Sequence, residues 1–420
     1  MKNSSLLLKT ALAAAIKALA AFIAFFMTAA ITRVMGAEES GLFLLAISIL
    51  AFSSVFFRLG LDNIFLRLIG ADKGTPRSIG AVSTGVVWSL LASVLFALLV
   101  YVCADFLAIF IFSKPEFSTV LSTMIWAVPF MVVFMLLSFG FQAFYRVIVA
   151  TWFQNLGVSS LFLVIFLVAY FYGLELSAVN VAIYYLVSAM LVCLLALILW
   201  HKHINGQWGG QLKDKDLWHS ASNLWAASSM NLAVQWSGIL MAGIFVSSSE
   251  IAFLSAAQRT AMLTSFVLMV VNMVVAPRYA RLWQENKKQE IKNLAKWSTR
   301  GMIALASPLV AAMIFIPGPI MRLFGDEFVV AGNLLAIMAV GQFINVATGS
   351  VGYLLTMSGH EKDFRRVTFF AGPLTVILSY FLIMEYGVLG AAIATAIGLS
   401  LQNLLALAMV RKRLGFWPIG

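Results

Sequence analysis

The sequence predicts an all-α integral membrane protein with twelve transmembrane helices in two six-helix bundles. Three observations lead there. Of 420 residues, 62% are hydrophobic and 11% charged, with a mean hydropathy of +0.97, whereas roughly a quarter of a soluble domain is charged. Apolar runs recur along the whole chain, and at 1.5 Å per residue they are long enough to cross a hydrocarbon core of roughly 30 Å. Lysine and arginine gather in alternate short connections between the runs, which is the pattern that sets orientation in a bilayer.

The first run, roughly 8 to 32, is too long for a signal-peptide core and reads as a first spanning helix. Further runs follow at about 41 to 61, 79 to 104, 118 to 140, 148 to 171, 178 to 200, 219 to 247, 251 to 276, 298 to 317, 329 to 357, 366 to 385 and 388 to 410. With the N-terminus inside, the inner segments hold Lys2, Lys9, Arg67, Lys73, Arg77, Arg146, Lys202, Lys213, Lys215, Lys362, Arg365, Arg366 and Arg411 to Arg413, while Arg33, Lys114 and Arg322 fall outside. Both termini are therefore expected on the cytoplasmic side. The stretch Glu250 to Arg300 repeats the argument in one place: the apolar run Ile251 to Ala276 gives way to Pro277 to Arg300, a basic segment with Arg278, Arg281, Lys287, Lys288, Lys292, Lys296 and Arg300.

A weak internal repeat appears at an offset of about 210 residues. Gly41 to Ala46 aligns with Ile251 to Ala256, and Lys114-Pro115-Glu116-Phe117 with Gly325-Asp326-Glu327-Phe328. The expected organisation is an N-terminal bundle over 1–205, a cytoplasmic linker over 206–218 and a C-terminal bundle over 219–420, an arrangement that suits alternating access.

A net charge of +11 spread over short interhelical loops is a topological signal rather than a nucleic-acid surface. Cys103 and Cys193 lie in or beside apolar runs without metal spacing, and the four histidines, His201, His203, His219 and His360, fall in or near loops. There is no Walker loop, no GxSxG and no pair of intramembrane carboxylates, so neither an enzyme nor a cofactor or metal site is expected.

Ionisable residues within the apolar runs carry the functional signal, because a charge at the bilayer centre costs about 2.5 to 3.5 kcal/mol even on the lenient scale. They are Lys17, Arg58, Asp62 and Arg259. Lys17 is near enough to a helix end to snorkel. Arg58 and Asp62, spaced i and i+4, form either a local ion pair or part of a binding site. Arg259 lies on the order of 12 Å deep by helical rise and has Ala256, Ser255, Met262 and Leu263 at i±3 and i±4, so its partner comes from another helix or from a ligand. Amides and tryptophans in the same runs, among them Asn231, Gln235, Trp236 and Gln258, suit either interhelical hydrogen bonds or contacts to sugar hydroxyls.

Several segments together resemble the polysaccharide transporter branch of the MOP flippase superfamily, and most closely Wzx-type O-antigen flippases. They are Arg33-Val34-Met35-Gly36 with Gly41-Leu42-Phe43, Arg58-Leu59-Gly60-Leu61, Ala256-Ala257-Gln258-Arg259, Ala276-Pro277-Arg278, Phe324 to Phe328, Ser358 to Lys362 and Tyr386 to Thr395. The resemblance implies a V-shaped, MATE-like bundle in the bacterial inner membrane that moves undecaprenyl-diphosphate-linked oligosaccharide from the cytoplasmic to the periplasmic leaflet. Lys17, Arg58 and Arg259 would then map to its cationic cavity. It also implies a polysaccharide polymerase and chain-length regulator as partners and leaves H⁺ or Na⁺ coupling open, with Asp62 the candidate carboxylate. The sister reading is a cation-coupled multidrug exporter, for which membrane-embedded acids are expected.

Overall fold

The computed structural model describes residues 2–62, 64–66, 75–209 and 215–419. Arg67, Lys73, Lys213 and positions 210–214 of the expected linker lie outside the described residues. All regular structure among the described residues is helical: α1 (Lys2–Phe56), α2 (Pro76–Val102), α3 (Phe117–Met124), α4 (Ala127–Ala143), α5 (Val147–Asn155), α6 (Gly157–Phe171), α7 (Ala178–His203), α8 (Lys215–Phe245), α9 (Ser248–Gln284), α10 (Lys288–Phe315), α11 (Gly332–Ala347), α12 (Val351–Met357) and α13 (Glu361–Leu414), with short helical turns between α2 and α3 and between α10 and α11. By length and composition, eight described helical stretches can cross a membrane, or nine if the bent pair α5 and α6 is one span. Two of them, Ala15–Phe56 and Glu361–Leu414, far exceed one crossing, and a glycine breaks each: Gly36 at φ 75° and Gly387 at φ 57°.

The chain divides into two compact units, one of Met1–Met27 and Glu38–Ser229, the other of Thr28–Ala37 and Met230–Gly420. The far end of the first half of α1 therefore belongs with the second unit. Within the first unit α4 is the most buried candidate span and packs against α2, α5 and α7. Its Phe141 stacks on Phe153 and meets Trp200 edge-on, while Phe43, Phe162 and Tyr185 form a second aromatic cluster.

In the second unit α11 packs against α9, α10 and α13. The segment brought over from α1 is held by polar contacts. Arg33 donates from Nε to the Leu323 carbonyl at 2.8 Å and from Nη2 to that of Arg322 at 3.1 Å, and Glu327 accepts from the Ala37 N–H at 2.6 Å. Farther along, Asp363 is buried and accepts two hydrogen bonds from one edge of Arg413, from Nε at 2.6 Å and from Nη2 at 3.0 Å.

Three expectations about local structure change. The basic stretch after Ala276 is not a loop: α9 runs through Pro277 to Gln284, and α10 begins at Lys288. Even among the cations the chain keeps apolar residues at helical spacing, since Tyr279, Leu282, Ile291 and Ala295 are buried in one cluster with Val351, Leu355 and Val410. The run expected over 329–357 is interrupted between α11 and α12 at Gly349, φ 77°. Lastly, the helix expected over 41–61 ends at Phe56, and a turn separates it from the helical residues that resume at Leu61.

The start of α9 is a full capping box: the Ser247 hydroxyl accepts from the Glu250 N–H at 3.3 Å, and Glu250 accepts from the Ser247 N–H at 2.9 Å. Replacing Ser247 with Ala should lower stability by about 1 kcal/mol, with Ser247→Asp nearly neutral, measurable by unfolding of the purified protein in detergent micelles.

Candidate functional site

Of the residues singled out from the sequence, Lys17, Arg58 and Asp62 lie in the first unit, and Asn231, Gln235, Trp236, Gln258 and Arg259 in the second. Lys17 is half-buried on α1, and Arg259 is half-buried on α9, eleven residues past its first residue Ser248.

Arg58 has the most fully built surroundings. Its position is set by the turn that ends α1, where Leu59 (φ 54°) and Gly60 (φ 72°) adopt left-handed backbone. A left-handed conformation strains residues that carry a Cβ, and at Gly60 space also forbids one: a Cβ there would lie 2.5 Å from the Ala221 carbonyl oxygen and 2.6 Å from the Trp225 nitrogen. The α8 backbone thus presses directly on the turn. Trp225 completes the clamp, donating its indole N–H to the Phe56 carbonyl at 2.8 Å and packing edge-on against the Phe56 ring at 4.8 Å.

Held this way, the Arg58 side chain is buried, with Phe139 of α4 beneath its guanidinium at 5.7 Å. Asp62 is the neighbouring acid, with Oδ2 3.6 Å from Nη1. The two residues come together as their spacing suggested, although the left-handed turn rather than a continuous helix joins them. The pair neutralises charge, but 3.6 Å is too long for a hydrogen bond, and Arg58 Nε is buried without a hydrogen-bond partner among the described residues. A buried guanidinium with an unused N–H is equipped to take a further anionic oxygen.

The amides of the second unit mostly meet one another. Gln258 donates to the Gln235 carbonyl at 3.0 Å, and Gln402 to Asn231 Oδ1 at 3.1 Å. Gln258 Oε1 is buried without a hydrogen-bond partner among the described residues, and Trp236 is half-buried. A pattern passed over in the sequence accounts for much of this polarity: Gln258, Ser265, Asn272 and Tyr279 recur every seventh residue of α9, a spacing that keeps them on nearly one stripe. Each bonds across to a neighbour: Gln258 to α8, Ser265 to Gln342 and Asn345 (3.1 Å), Asn272 to Ser350, and Tyr279 to Ser298 at 3.4 Å. Phe139 and Thr368 also escaped sequence reading, because only packing brings the first to Arg58 and the second to Gln402 at 3.5 Å.

Comparison with known proteins agrees with this architecture. The family model described as "Polysaccharide biosynthesis protein" matches residues 6–283, and the MatE model matches 226–381. The probable low-salt glycan biosynthesis flippase Agl15 of Haloferax volcanii is 25% identical over 171 residues, which are 40% of this chain and 36% of that protein, so the chain spans about a third of the length of this curated relative. Among solved structures, the lipid II flippase MurJ in an inward closed conformation superposes with a TM-score of 0.76 at 14% identity, covering 95% of this chain and 87% of that one. An outward-facing multidrug resistance MATE transporter of the MOP superfamily reaches 0.68 at 14% identity, over 97% and 95%. At such identities the likeness establishes the fold alone, whereas the family-model match covers well over half of the chain. The chain belongs to the family described as "Polysaccharide biosynthesis protein".

Proposed function

We propose that this protein is a lipid-linked oligosaccharide flippase, moving undecaprenyl-diphosphate-linked O-antigen or related repeat units from the cytoplasmic to the periplasmic leaflet of the bacterial inner membrane by alternating access. The observation that carries the reading is Arg58, a buried guanidinium with an unused N–H donor, in a chain of this family. A diphosphate leaving water needs charge-assisted donors to replace its hydration, and arginine offers a fork matched to phosphate oxygens. Arg259 on α9 and Lys17 on α1 supply further positive charge within spanning helices. Asn231, Gln235, Trp236 and Gln258 are the proposed sugar contacts, the Gln258 carbonyl oxygen being buried and free to accept a hydroxyl.

The flippase named among the relatives handles a glycan, which favours the same substrate class here. The MatE match over 226–381 favours a second reading, export of cationic drugs in exchange for H⁺ or Na⁺. Such an exporter needs a carboxylate available to a cation, whereas Asp62 is ion-paired to Arg58. In the flippase reading both termini are cytoplasmic, and a polysaccharide polymerase and chain-length regulator act on the product.

Two outcomes follow. In proteoliposomes loaded with labelled lipid-diphosphate oligosaccharide, Arg259→Ala at matched protein content should lose roughly ten- to a hundredfold in apparent affinity, the equivalent of one charge-assisted contact of about 1.5 to 3 kcal/mol. Arg259→Lys should retain part of it. Undiminished transport by the alanine variant would remove Arg259 from the site. Secondly, a cysteine introduced at Gln289 in a background lacking Cys103 and Cys193 should react with impermeant maleimide only from the cytoplasmic side; labelling from the periplasm would reverse the topology.

A further inference from the structure

Arg58 and Asp62 differ from the pair of Arg413 and Asp363, in which the carboxylate is buried and the guanidinium partly exposed, in a way that points to a specific role. Asp363 and Arg413 meet with two hydrogen bonds, at 2.6 and 3.0 Å. That is the bidentate geometry expected of a pair whose purpose is to hold structure. In the Arg58–Asp62 pair both partners are enclosed, with side chains 11% and 12% exposed, yet they approach only to 3.6 Å, and Nε is left without a hydrogen bond among the described residues. The looseness has a structural cause. The left-handed residues Leu59 and Gly60 lie between them, and Ala221 and Trp225 of α8 pack against that turn, which sets the two side chains apart from the spacing of a continuous helix. Phe139 lies against one face of the guanidinium at 5.7 Å, so a further oxygen would have to meet Nε in the guanidinium plane.

We infer that Asp62 is an internal stand-in for phosphate: it balances the Arg58 charge without satisfying its Nε–H, gives way to a diphosphate oxygen when substrate arrives, and then helps expel it. This rests on the diphosphate reading of Arg58. A diphosphate oxygen seated on Arg58 brings negative charge beside the Asp62 carboxylate, and like charges in a low-dielectric site repel. Binding is weakened by the same contact that speeds release. A transport site needs this balance, because a ligand must be held firmly enough to enter and loosely enough to leave. Asp62 is thus a positioning residue that acts through Arg58, and its removal should separate affinity from turnover.

The experiment uses the full-length protein in detergent micelles with inorganic pyrophosphate as the probe, followed by transport of lipid-linked oligosaccharide in proteoliposomes. Asp62→Asn should bind pyrophosphate about tenfold more tightly, the scale of one charged contact, while its transport turnover falls. Arg58→Ala should lose pyrophosphate affinity, and the double variant should show none of the gain. Asp62→Glu keeps the charge on a longer arm, reaches Arg58 more closely, and should bind pyrophosphate more weakly than the wild type; this variant carries the test if the asparagine variant does not fold. Unchanged or weaker pyrophosphate binding by a folded Asp62→Asn, with Arg58→Ala still impaired, would overturn the stand-in role alone. Wild-type pyrophosphate binding by Arg58→Ala would overturn both that role and the diphosphate reading of Arg58.

Discussion

A helix break frees backbone groups that must find other partners, most of all where hydrocarbon offers no water, and this constraint bears on the breaks in the long helices. A continuous helix meets it at no cost to its neighbours, whereas each interruption frees N–H and C=O groups that something else must satisfy. Two of the breaks show how. At Gly36 the Ala37 N–H that begins the next helix is taken by Glu327, with Arg33 bonding back to the carbonyls of Arg322 and Leu323. At the end of α1 the Phe56 carbonyl is taken by the Trp225 indole. In both places a side chain remote in sequence caps a helix end, so the break is also a point of tertiary attachment.

The same constraint decides which features could be read from the sequence. Long apolar runs and their basic flanks identify spanning helices because hydropathy and charge are local properties, and the runs ending near Val102, His203 and Phe315 emerge within a few residues of expectation. Helix ends inside the basic stretch after Pro277 were misread for a different reason. Composition there is dominated by cations, while the buried face formed by Tyr279, Leu282, Ile291 and Ala295 is a pattern of only a few residues. The polar stripe of Gln258, Ser265, Asn272 and Tyr279 was visible as a period of seven, but its meaning depended on α11 and α10 presenting Gln342, Asn345 and Ser298 opposite it.

At Arg58 the sequence offered two readings, a local pair with Asp62 or a ligand site, and spacing could not choose between them. An i, i+4 relation says that two side chains share a face only while the backbone between them is helical. Here it is not, and the left-handed turn leaves the pair in ion-pair contact yet short of a hydrogen bond. Gly60 could be noticed in the sequence, but the pressure of the Ala221 and Trp225 backbone on it could not. Nor could the Phe139 ring, which reaches Arg58 from a different helix.

The contrast between the two arginine–aspartate pairs bears on what burial of charge accomplishes in this molecule. Desolvating two ions is costly, and the cost is recovered only when geometry is good and the remaining donors are occupied. Arg413 and Asp363 meet that condition with two short hydrogen bonds, and their guanidinium is partly open to solvent. In the Arg58–Asp62 pair the arginine is the more enclosed of the two arginines and the match is worse, so packing alone gives little reason to keep the pair; two apolar residues of similar volume often serve stability as well. What the mismatch does provide is a guanidinium that is desolvated, fixed in place and still able to donate. An anion that must shed water to cross a membrane requires such a group, and a fully satisfied salt bridge could not offer it.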